Sequence, residues 1–407
     1  MNVKLQKSSI KNQSSIIITG SKSESNRLLL LKALYSQIAI ENLSNSDDSD
    51  VMQKALSSNS EVIDIHHAGT AMRFLAAYFA IQENRKVILT GSSRMKERPI
   101  KILVDALNSL GADITYTENE GFPPLKIRGK KLTKNKVSIE ANTSSQYITA
   151  LLLIGSKLEN GIQLTLEGEI TSIPYIKMTL ALLDEIGFQT TFEENIITVK
   201  PTPNNHKPIT LVVESDWSSA SYYYSIVALA EIGTKIKLSS YKKNSLQGDS
   251  VLTRIYEDFG VKTSFENNSI ILEKVTKHFS PLSFNLINSP DIAQTIAVTA
   301  FGLGLKCDLF GLHTLKIKET DRLKALKTEI EKLGGDVAVT QDSLHLKPFL
   351  DTYNLVSIDT YNDHRMAMAF APLALKTPIQ IHDAEVVSKS YPTFWDDLKS
   401  IGFQISE

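Results

Sequence analysis

The sequence predicts an α/β protein of repeated layers arranged in two domains, and three observations carry that expectation. At 407 residues, 42% of them hydrophobic, the chain exceeds one ordinary domain and has apolar content for two or three cored units. One short pattern recurs five times. A proline-rich break, Pro201-Thr202-Pro203-Asn204-Asn205-His206-Lys207-Pro208, lies near the middle and reads either as a linker or as a long surface loop.

The pattern is an amphipathic stretch closed by an apolar residue and glycine, then an extended piece, a polar turn and a second extended piece. It appears at Leu110-Gly111-Ala112-Asp113-Ile114, at Ile186-Gly187-Phe188, at Phe259-Gly260-Val261, at Leu333-Gly334-Gly335-Asp336-Val337 and at Ile401-Gly402-Phe403. The glycines are 76, 73, 74 and 68 residues apart. Unrelated helix ends could give two such copies, but five at near-constant spacing indicate a repeat. A solenoid repeat is usually about 20 to 50 residues, so each copy is better read as a small folded layer with its own helices and sheet, and six layers fill the chain. Each glycine is expected to end a helix in left-handed conformation. Turns such as Glu193-Glu194-Asn195 and Glu266-Asn267-Asn268 should then reverse the strands. A short strand over Ser15 to Thr19 is expected before the first helix.

The 44 basic and 45 acidic residues leave a net charge of −1, which gives no global field to attract nucleic acid or an anionic membrane. Anions must therefore be held by local clusters. A single cysteine, Cys307, excludes an intrachain disulfide or a Cys-rich metal site and fits a reducing compartment; its apolar, strand-like surroundings suggest a buried, inert thiol. No apolar segment follows the lysines of Met1 to Lys11, and no run of about 18 apolar residues could span a bilayer. The expectation is a soluble, unprocessed, cytoplasmic protein.

Several segments carry candidate chemistry. Gly20-Ser21-Lys22-Ser23-Glu24-Ser25-Asn26-Arg27 sits at a strand-to-helix turn, where Ser21 and Glu24 match a capping box. The free N–H groups of a helix start favour an anion, and Lys22, Ser23 and Arg27 add donors, although a capped surface helix would look the same. His66-His67-Ala68-Gly69-Thr70 places a small Gly-Thr step before an apolar helix, so that a ligand could approach the backbone closely. The adjacent histidines lack a third ligand at metal spacing. Arg94-Met95-Lys96-Glu97-Arg98-Pro99 is a basic loop before a helix that Pro99 can start. Asn142-Thr143-Ser144-Ser145-Gln146 offers uncharged donors before an apolar helix, suited to sugar hydroxyls, to phosphate oxygens or simply to capping; Ser172-Ile173-Pro174-Tyr175 is comparable. For Asp216-Trp217-Ser218-Ser219 capping alone suffices.

Lys316-Ile317-Lys318-Glu319-Thr320-Asp321-Arg322 is the most informative stretch. If it begins a helix, Lys318 and Arg322 lie four apart on one side with Glu319 between their directions, so two cations could hold an anion beside a proton donor or acceptor. Asp363-His364-Arg365 and Lys389-Ser390-Tyr391 supply further cations, and Asp291 follows Pro290 at a helix start. Each of these, alone, also has a purely structural reading.

In order and spacing these segments resemble the 3-phosphoshikimate 1-carboxyvinyltransferase family, also called 5-enolpyruvylshikimate-3-phosphate synthases. The resemblance runs from Lys22 to Lys389 through Ser-Lys-Ser-Glu-Ser-Asn-Arg, Ala-Gly-Thr-Ala-Met-Arg, Arg-Met-Lys-Glu-Arg-Pro-Ile, Ser-Ser-Gln, Ser-Pro-Asp, Lys-Glu-Thr-Asp-Arg-Leu and Asp-His-Arg-Met-Ala-Met. It implies a two-domain enolpyruvyl transferase fold of six βαβαββ-type units, an inverse α/β barrel, that closes on binding. One domain would be discontinuous, residues 1–20 plus 215–407 on the phosphoenolpyruvate side, and the other residues 21–214 on the shikimate 3-phosphate side, with the active site in the cleft. The implied reaction transfers the enolpyruvyl group of phosphoenolpyruvate to the 5-hydroxyl of shikimate 3-phosphate, on the route to chorismate and aromatic amino acids, without metal or cofactor. A monomer is expected, with no nucleic-acid or membrane partner.

Carried over by position, Lys22, Ser23, Arg27, Ser144, Ser145, Gln146, Ser172 and Lys318 resemble contacts to shikimate 3-phosphate. Gly69, Arg98, Arg322, Arg365 and Lys389 resemble the phosphoenolpyruvate site, with Lys22 touching both substrates. Asp291 resembles the base toward the attacking hydroxyl, and Glu319 the proton donor to the methylene carbon. The resemblance also places the inhibitor glyphosate against Gly69. His67 and Thr314 stand where the family usually has Asn. Two rivals remain. A UDP-N-acetylglucosamine enolpyruvyltransferase would carry a reactive cysteine or acid near Ser92 to Lys96, and no cysteine is there. A non-catalytic anion-binding relative would have no need of both Asp291 and Glu319.

Overall fold

The computed structural model describes residues 1–141, 144–201, 207–277, 281–347 and 356–407. Asn142 and Thr143 of the polar segment and residues 202–206 of the proline-rich break lie outside the described residues. The chain forms two compact units, one of Met1–Thr19 with Glu214–Glu407 and the other of Gly20–Val213. The N-terminal strand belongs to the first: Ser14–Ile16 pairs in parallel with Lys235–Ser239. It is displaced from the expected Ser15 to Thr19, and Ile17 is left 74% exposed.

Among the described residues there are three sheets in each unit. In the Gly20–Val213 unit, Val62–Asp64 runs parallel to Lys86–Thr90, which pairs antiparallel with Leu125–Arg128, itself paired with Asp113–Tyr116. The helices Gly69–Ala80 and Lys101–Ser109 connect these strands. The same strand–helix–strand–helix–hairpin order returns over Lys136–Val199 and, in the other unit, over Leu282–Leu346. Each copy is thus a βαβαββ layer. A fourth sheet in this pattern begins with Ser14–Ile16 and resumes at Lys235–Ser239, so the whole second unit is inserted between its first two strands.

Sequence pattern explains which side is buried. Strands such as Leu125–Arg128 (Leu-Lys-Ile-Arg) alternate buried and exposed residues, as expected of a sheet with one wet face. The helices Gly69–Ala80, Ser145–Gly155, Trp217–Leu229 and Ala293–Gly302 are apolar nearly all round and almost wholly buried, which requires neighbours on every side. Helices therefore lie inside and sheets outside, the inverse of an ordinary α/β barrel. All five repeat glycines have positive φ, from +74° at Gly260 to +119° at Gly402. In the turns, Glu194, Asn267 and Asn268 share the left-handed conformation. Cys307 is fully buried in the strand Cys307–Phe310, and burial pushes its thiol up to about 12, the inert state expected of it. Among the described residues no helix is long and apolar enough to cross a membrane.

Candidate active site

In the Gly20–Val213 unit, the helix Lys22–Leu34 starts where expected, and Ser21 Oγ accepts from Glu24 N at 3.5 Å. Lys22 Nζ lies 3.3 Å from Asp48 Oδ2. Asp48 opens the next helix in an acidic run, Asp47-Asp48-Ser49-Asp50, which from sequence reads only as a favourable helix N-terminus. Arg27 is buried. Its Nε donates to Thr179 Oγ1 at 2.9 Å, Nη1 to Ser23 O at 2.6 Å, and Nη2 to Thr149 Oγ1 and Tyr175 O, both at 3.3 Å. The guanidinium also lies over the rings of Phe74 and Tyr175. Burial pushes its pKa down to about 10, still above neutrality, so a cation held by neutral oxygens remains available to an anion.

Gly69 and Arg98, far apart in sequence, come together. A Cβ on Gly69 would stand 2.4 Å from Arg98 Nη1, so the guanidinium rests where only glycine leaves room. Arg73 clamps the two segments, its Nη1 donating to Gly69 O and its Nη2 to Pro99 O, each at 3.1 Å. Tyr147 OH also donates to Pro99 O at 2.6 Å. Arg98 Nε is buried without a hydrogen-bond partner, a donor that a bound anion would satisfy. Gln146 Nε2 donates to Thr70 Oγ1 at 3.2 Å, which brings the Ser-Ser-Gln segment to the same helix start as Gly69. Ser144 caps its helix through Gln146 N at 3.3 Å, and Ser145 is buried.

Ser172 adopts φ +55°, ψ +38° at a helix N-terminus and makes no side-chain cap bond. A non-glycine residue in that region is strained by about 1–3 kcal/mol, and such strain concentrates at ligand sites. The rings of His66 and His67 lie 6.4 Å apart, and among the described residues no group of three His, Cys, Asp or Glu could hold a metal.

In the other unit a charge cluster forms around Arg322. The condition set for this stretch is not met, since no helix begins at Lys318: it is extended, at φ −80° and ψ −150°, and the helix begins at Arg322. Asp321 is the reason, since its carboxylate accepts from Lys324 N at 3.3 Å and so starts the helix one residue later. The residues meet all the same. Arg322, 1% exposed, reaches Asp363 at 2.6 Å, Glu319 at 2.8 Å and Asp291 at 3.0 Å. Asp291 also pairs with Arg365 at 3.1 Å and Lys318 at 3.5 Å, and Glu319 with Lys389 at 3.0 Å. Asp363 Oδ1 accepts from Arg365 N at 2.9 Å, capping the helix that carries Arg365.

Burial opposes the ionised form of Asp291, but Arg365, Lys318 and Arg322 outweigh it and hold the carboxyl well below the usual range. For Arg322 burial disfavours the charge, while Asp363, Glu319 and Asp291 more than restore it. All predicted cations of this unit, Lys318, Arg322, Arg365 and Lys389, are thus tied to the two predicted proton-transfer groups. Sequence reasoning missed Asp48, Thr149 and Thr179. Tyr175 was within view, three residues beyond Ser172.

The known proteins that this chain is similar to agree with one another. The family model described as EPSP synthase (3-phosphoshikimate 1-carboxyvinyltransferase) matches residues 51–398. A 3-phosphoshikimate 1-carboxyvinyltransferase of Bacteroides fragilis is 46% identical over 97% of this chain and 96% of its own length. One from Haemophilus influenzae is 37% identical over 96% of each. Among solved structures, an EPSP synthase from Acinetobacter baumannii superposes with TM-score 0.81 at 20% identity over the full length of both chains. The enolpyruvyl transferase NikO from Streptomyces tendae gives 0.76 at 14% identity over 100% of this chain and 98% of its own, so these two structures speak to the fold alone. With its full-length relatives, its matching family model and both charge clusters in place, the chain belongs to the EPSP synthase (3-phosphoshikimate 1-carboxyvinyltransferase) family.

Proposed function

We propose that these residues bind the substrates of the family reaction, with Lys22, Ser23, Arg27, Ser144, Ser145, Gln146, Ser172 and Lys318 holding shikimate 3-phosphate. Gly69, Arg98, Arg322, Arg365 and Lys389 hold phosphoenolpyruvate, and Lys22 serves both. The reaction transfers the enolpyruvyl group of phosphoenolpyruvate to the 5-hydroxyl of shikimate 3-phosphate and releases phosphate. Each substrate carries about −3 at neutral pH, from a phosphate of about −1.5 to −2 and a carboxylate. Seven cations, Lys22, Arg27, Arg98, Lys318, Arg322, Arg365 and Lys389, are available to them.

The observation that carries the reading is the pairing of Asp291 and Glu319 through one shared cation, Arg322. Glu319 protonates the methylene carbon, Asp291 takes the proton of the 5-hydroxyl, and the new C–O bond gives a tetrahedral ketal that carries a methyl group. Breaking the ketal C–O bond to phosphate and removing one methyl proton then regenerates the enol ether. With its cations around it Asp291 is a weak base. An arriving anion competes for Arg365, Lys318 and Arg322, and each contact transferred to substrate raises the basicity of Asp291, so the base is unmasked by the substrate it serves. The same reading gives a cytoplasmic monomer without cofactor, checked by cell fractionation and sedimentation. The reaction itself is tested by phosphate release. Release requires both substrates together; release from phosphoenolpyruvate alone at the same rate would overturn the assignment.

The Gly69–Arg98 contact makes a further expectation quantitative. Gly69→Ala forces the Arg98 guanidinium aside, and overpacking of about 1–3 kcal/mol corresponds to a rise of roughly 5- to 150-fold in the KM for phosphoenolpyruvate. Glyphosate, the longer molecule, should lose more, with an inhibition constant raised beyond that factor. Equal weakening of both ligands would remove Gly69 from the phosphoenolpyruvate site.

A further inference from the structure

We propose that Ser218 and Asp249 are positioning residues that hold Arg365 in place while Asp291 releases it to work as a base. The proposal rests on the functional reading above, in which Arg365 takes the anionic substrate. Arg365 Nη2 donates to Asp291 Oδ2 at 3.1 Å and to Ser218 Oγ at 3.3 Å. The Ser218 hydroxyl in turn donates to Asp249 Oδ2. A cation, a hydroxyl and a second carboxylate therefore form a hydrogen-bonded chain that starts at Arg365.

Neither residue is needed for the local structure that from sequence explains Ser218. The helix Trp217–Leu229 is capped by Asp216, whose Oδ1 accepts from Ser219 N at 2.8 Å, which leaves the Ser218 hydroxyl free to turn elsewhere. Asp249 lies in the short turn Gly248–Val251 and is 3% exposed. Its position is fixed by Gln247, two residues before it: Gln247 Oε1 accepts from Trp217 N at 2.9 Å, and Gln247 Nε2 donates to Ser215 O at 2.9 Å. The other carboxylate oxygen, Asp249 Oδ1, is buried without a hydrogen-bond partner. Burying such a group is costly, and nothing in the packing of the turn repays it. A role at Arg365 accounts for it.

The charged groups facing Asp249 are Asp216 at the start of its neighbouring helix, Asp291 from the turn Pro290–Ile292 and Arg365 from the helix His364–Phe370. Burial first, then Asp291, pushes the Asp249 carboxyl up to about 7. Arg365 is thus flanked by two carboxylates of unequal acidity. Asp291 stays ionised, and Asp249 is the one that takes up a proton near neutrality. An anion at Arg365 adds negative charge beside Asp249 and raises its pKa further, so binding draws in a proton. Conversely, as pH rises through about 7, ionised Asp249 opposes the anion and the KM for phosphoenolpyruvate rises.

The test is the pH dependence of the KM for phosphoenolpyruvate between pH 6 and 9, at saturating shikimate 3-phosphate, in the wild type, Asp249→Asn, Ser218→Ala and Ser218→Thr. In the wild type the KM should climb above pH 7, and Asp249→Asn should flatten that climb. Ser218→Ala removes a hydrogen bond to a charged group and should raise the KM roughly tenfold, with a smaller fall in kcat; Ser218→Thr, which keeps the hydroxyl, should restore it. Titration calorimetry of phosphoenolpyruvate binding in two buffers of different ionisation enthalpy reads proton uptake in the wild type directly, so the proposal stays testable if Asp249→Asn fails to fold. Superimposable KM profiles for the wild type and Asp249→Asn, or binding without proton uptake at pH 7, would overturn it. A wild type that transfers no enolpyruvyl group at any pH would instead overturn the functional reading.

Discussion

Asp291→Asn and Glu319→Gln should each lower turnover by at least about 10²-fold, the lower range for an acid–base group, while substrate binding is retained. Both substitutions keep the shape of the side chain and lose only the charge and the ability to exchange a proton. The geometry sharpens the expectation, because each carboxylate is held by cations on separate elements: Asp291 by Lys318, Arg322 and Arg365, Glu319 by Arg322 and Lys389. Removing the charge therefore leaves those cations freer for the anionic substrates, and affinity for them should hold or rise as turnover collapses. Steady-state kinetics with calorimetric binding separates the two effects. Near-normal turnover in either variant would remove that residue from the mechanism.

Arg322→Met should be the most damaging single change to stability. Arg322 serves Asp291, Glu319 and Asp363 at once, and breaking a buried pair by removing one partner costs about 3–5 kcal/mol. For a unit of about 200 residues this is a fall in Tm of roughly 6–20 °C. The sign with pH is fixed by linkage. In the wild type the depressed pKa of Asp291 contributes stability above the unfolded-state value, and that contribution is lost as pH falls through the folded value. In the variant those carboxylates lose their shared cation, so the cost of holding them charged is relieved by protonation as pH drops. The difference in Tm between the two proteins should be widest near pH 8 and should narrow toward pH 5. A pH-independent gap would mean that lost packing, not stranded charge, is the cause.

The repeated layer was legible because it is written in local rules: a glycine where a helix must end left-handed, an Asn-rich turn where a hairpin must reverse. Gly187 and Gly402 each close a helix with φ above +100°. The candidate site was legible where several donors crowd a short segment, as at Lys22 to Arg27 or Lys318 to Arg322. It was not legible where single residues from distant segments meet. Thr149 and Thr179 hold Arg27 from helices that read as plain apolar stretches, and Asp249 sits in a turn of four residues with no periodicity to mark it. The convergence at Lys318 and Arg322 has a related reason. A period of four places Lys318 and Arg322 together on a helix face, but both instead reach Asp291 with Lys318 in extended chain, a convergence that only tertiary structure can make.

If this chain transfers an enolpyruvyl group through a tetrahedral ketal, with Glu319 protonating the methylene carbon and Asp291 taking the proton of the 5-hydroxyl, a methyl group must form and be lost in each turnover. The most direct test is to run the reaction in deuterium oxide and analyse the carboxyvinyl product by mass spectrometry. Deuteronation from solvent-exchanged groups creates a methyl group carrying one deuteron, and loss of either of its two protons leaves deuterium in the product methylene, whereas loss of the deuteron leaves none. Wild-type product should carry that label, together with phosphate release that depends on both substrates. Product that forms at the wild-type rate with an unlabelled methylene would contradict it.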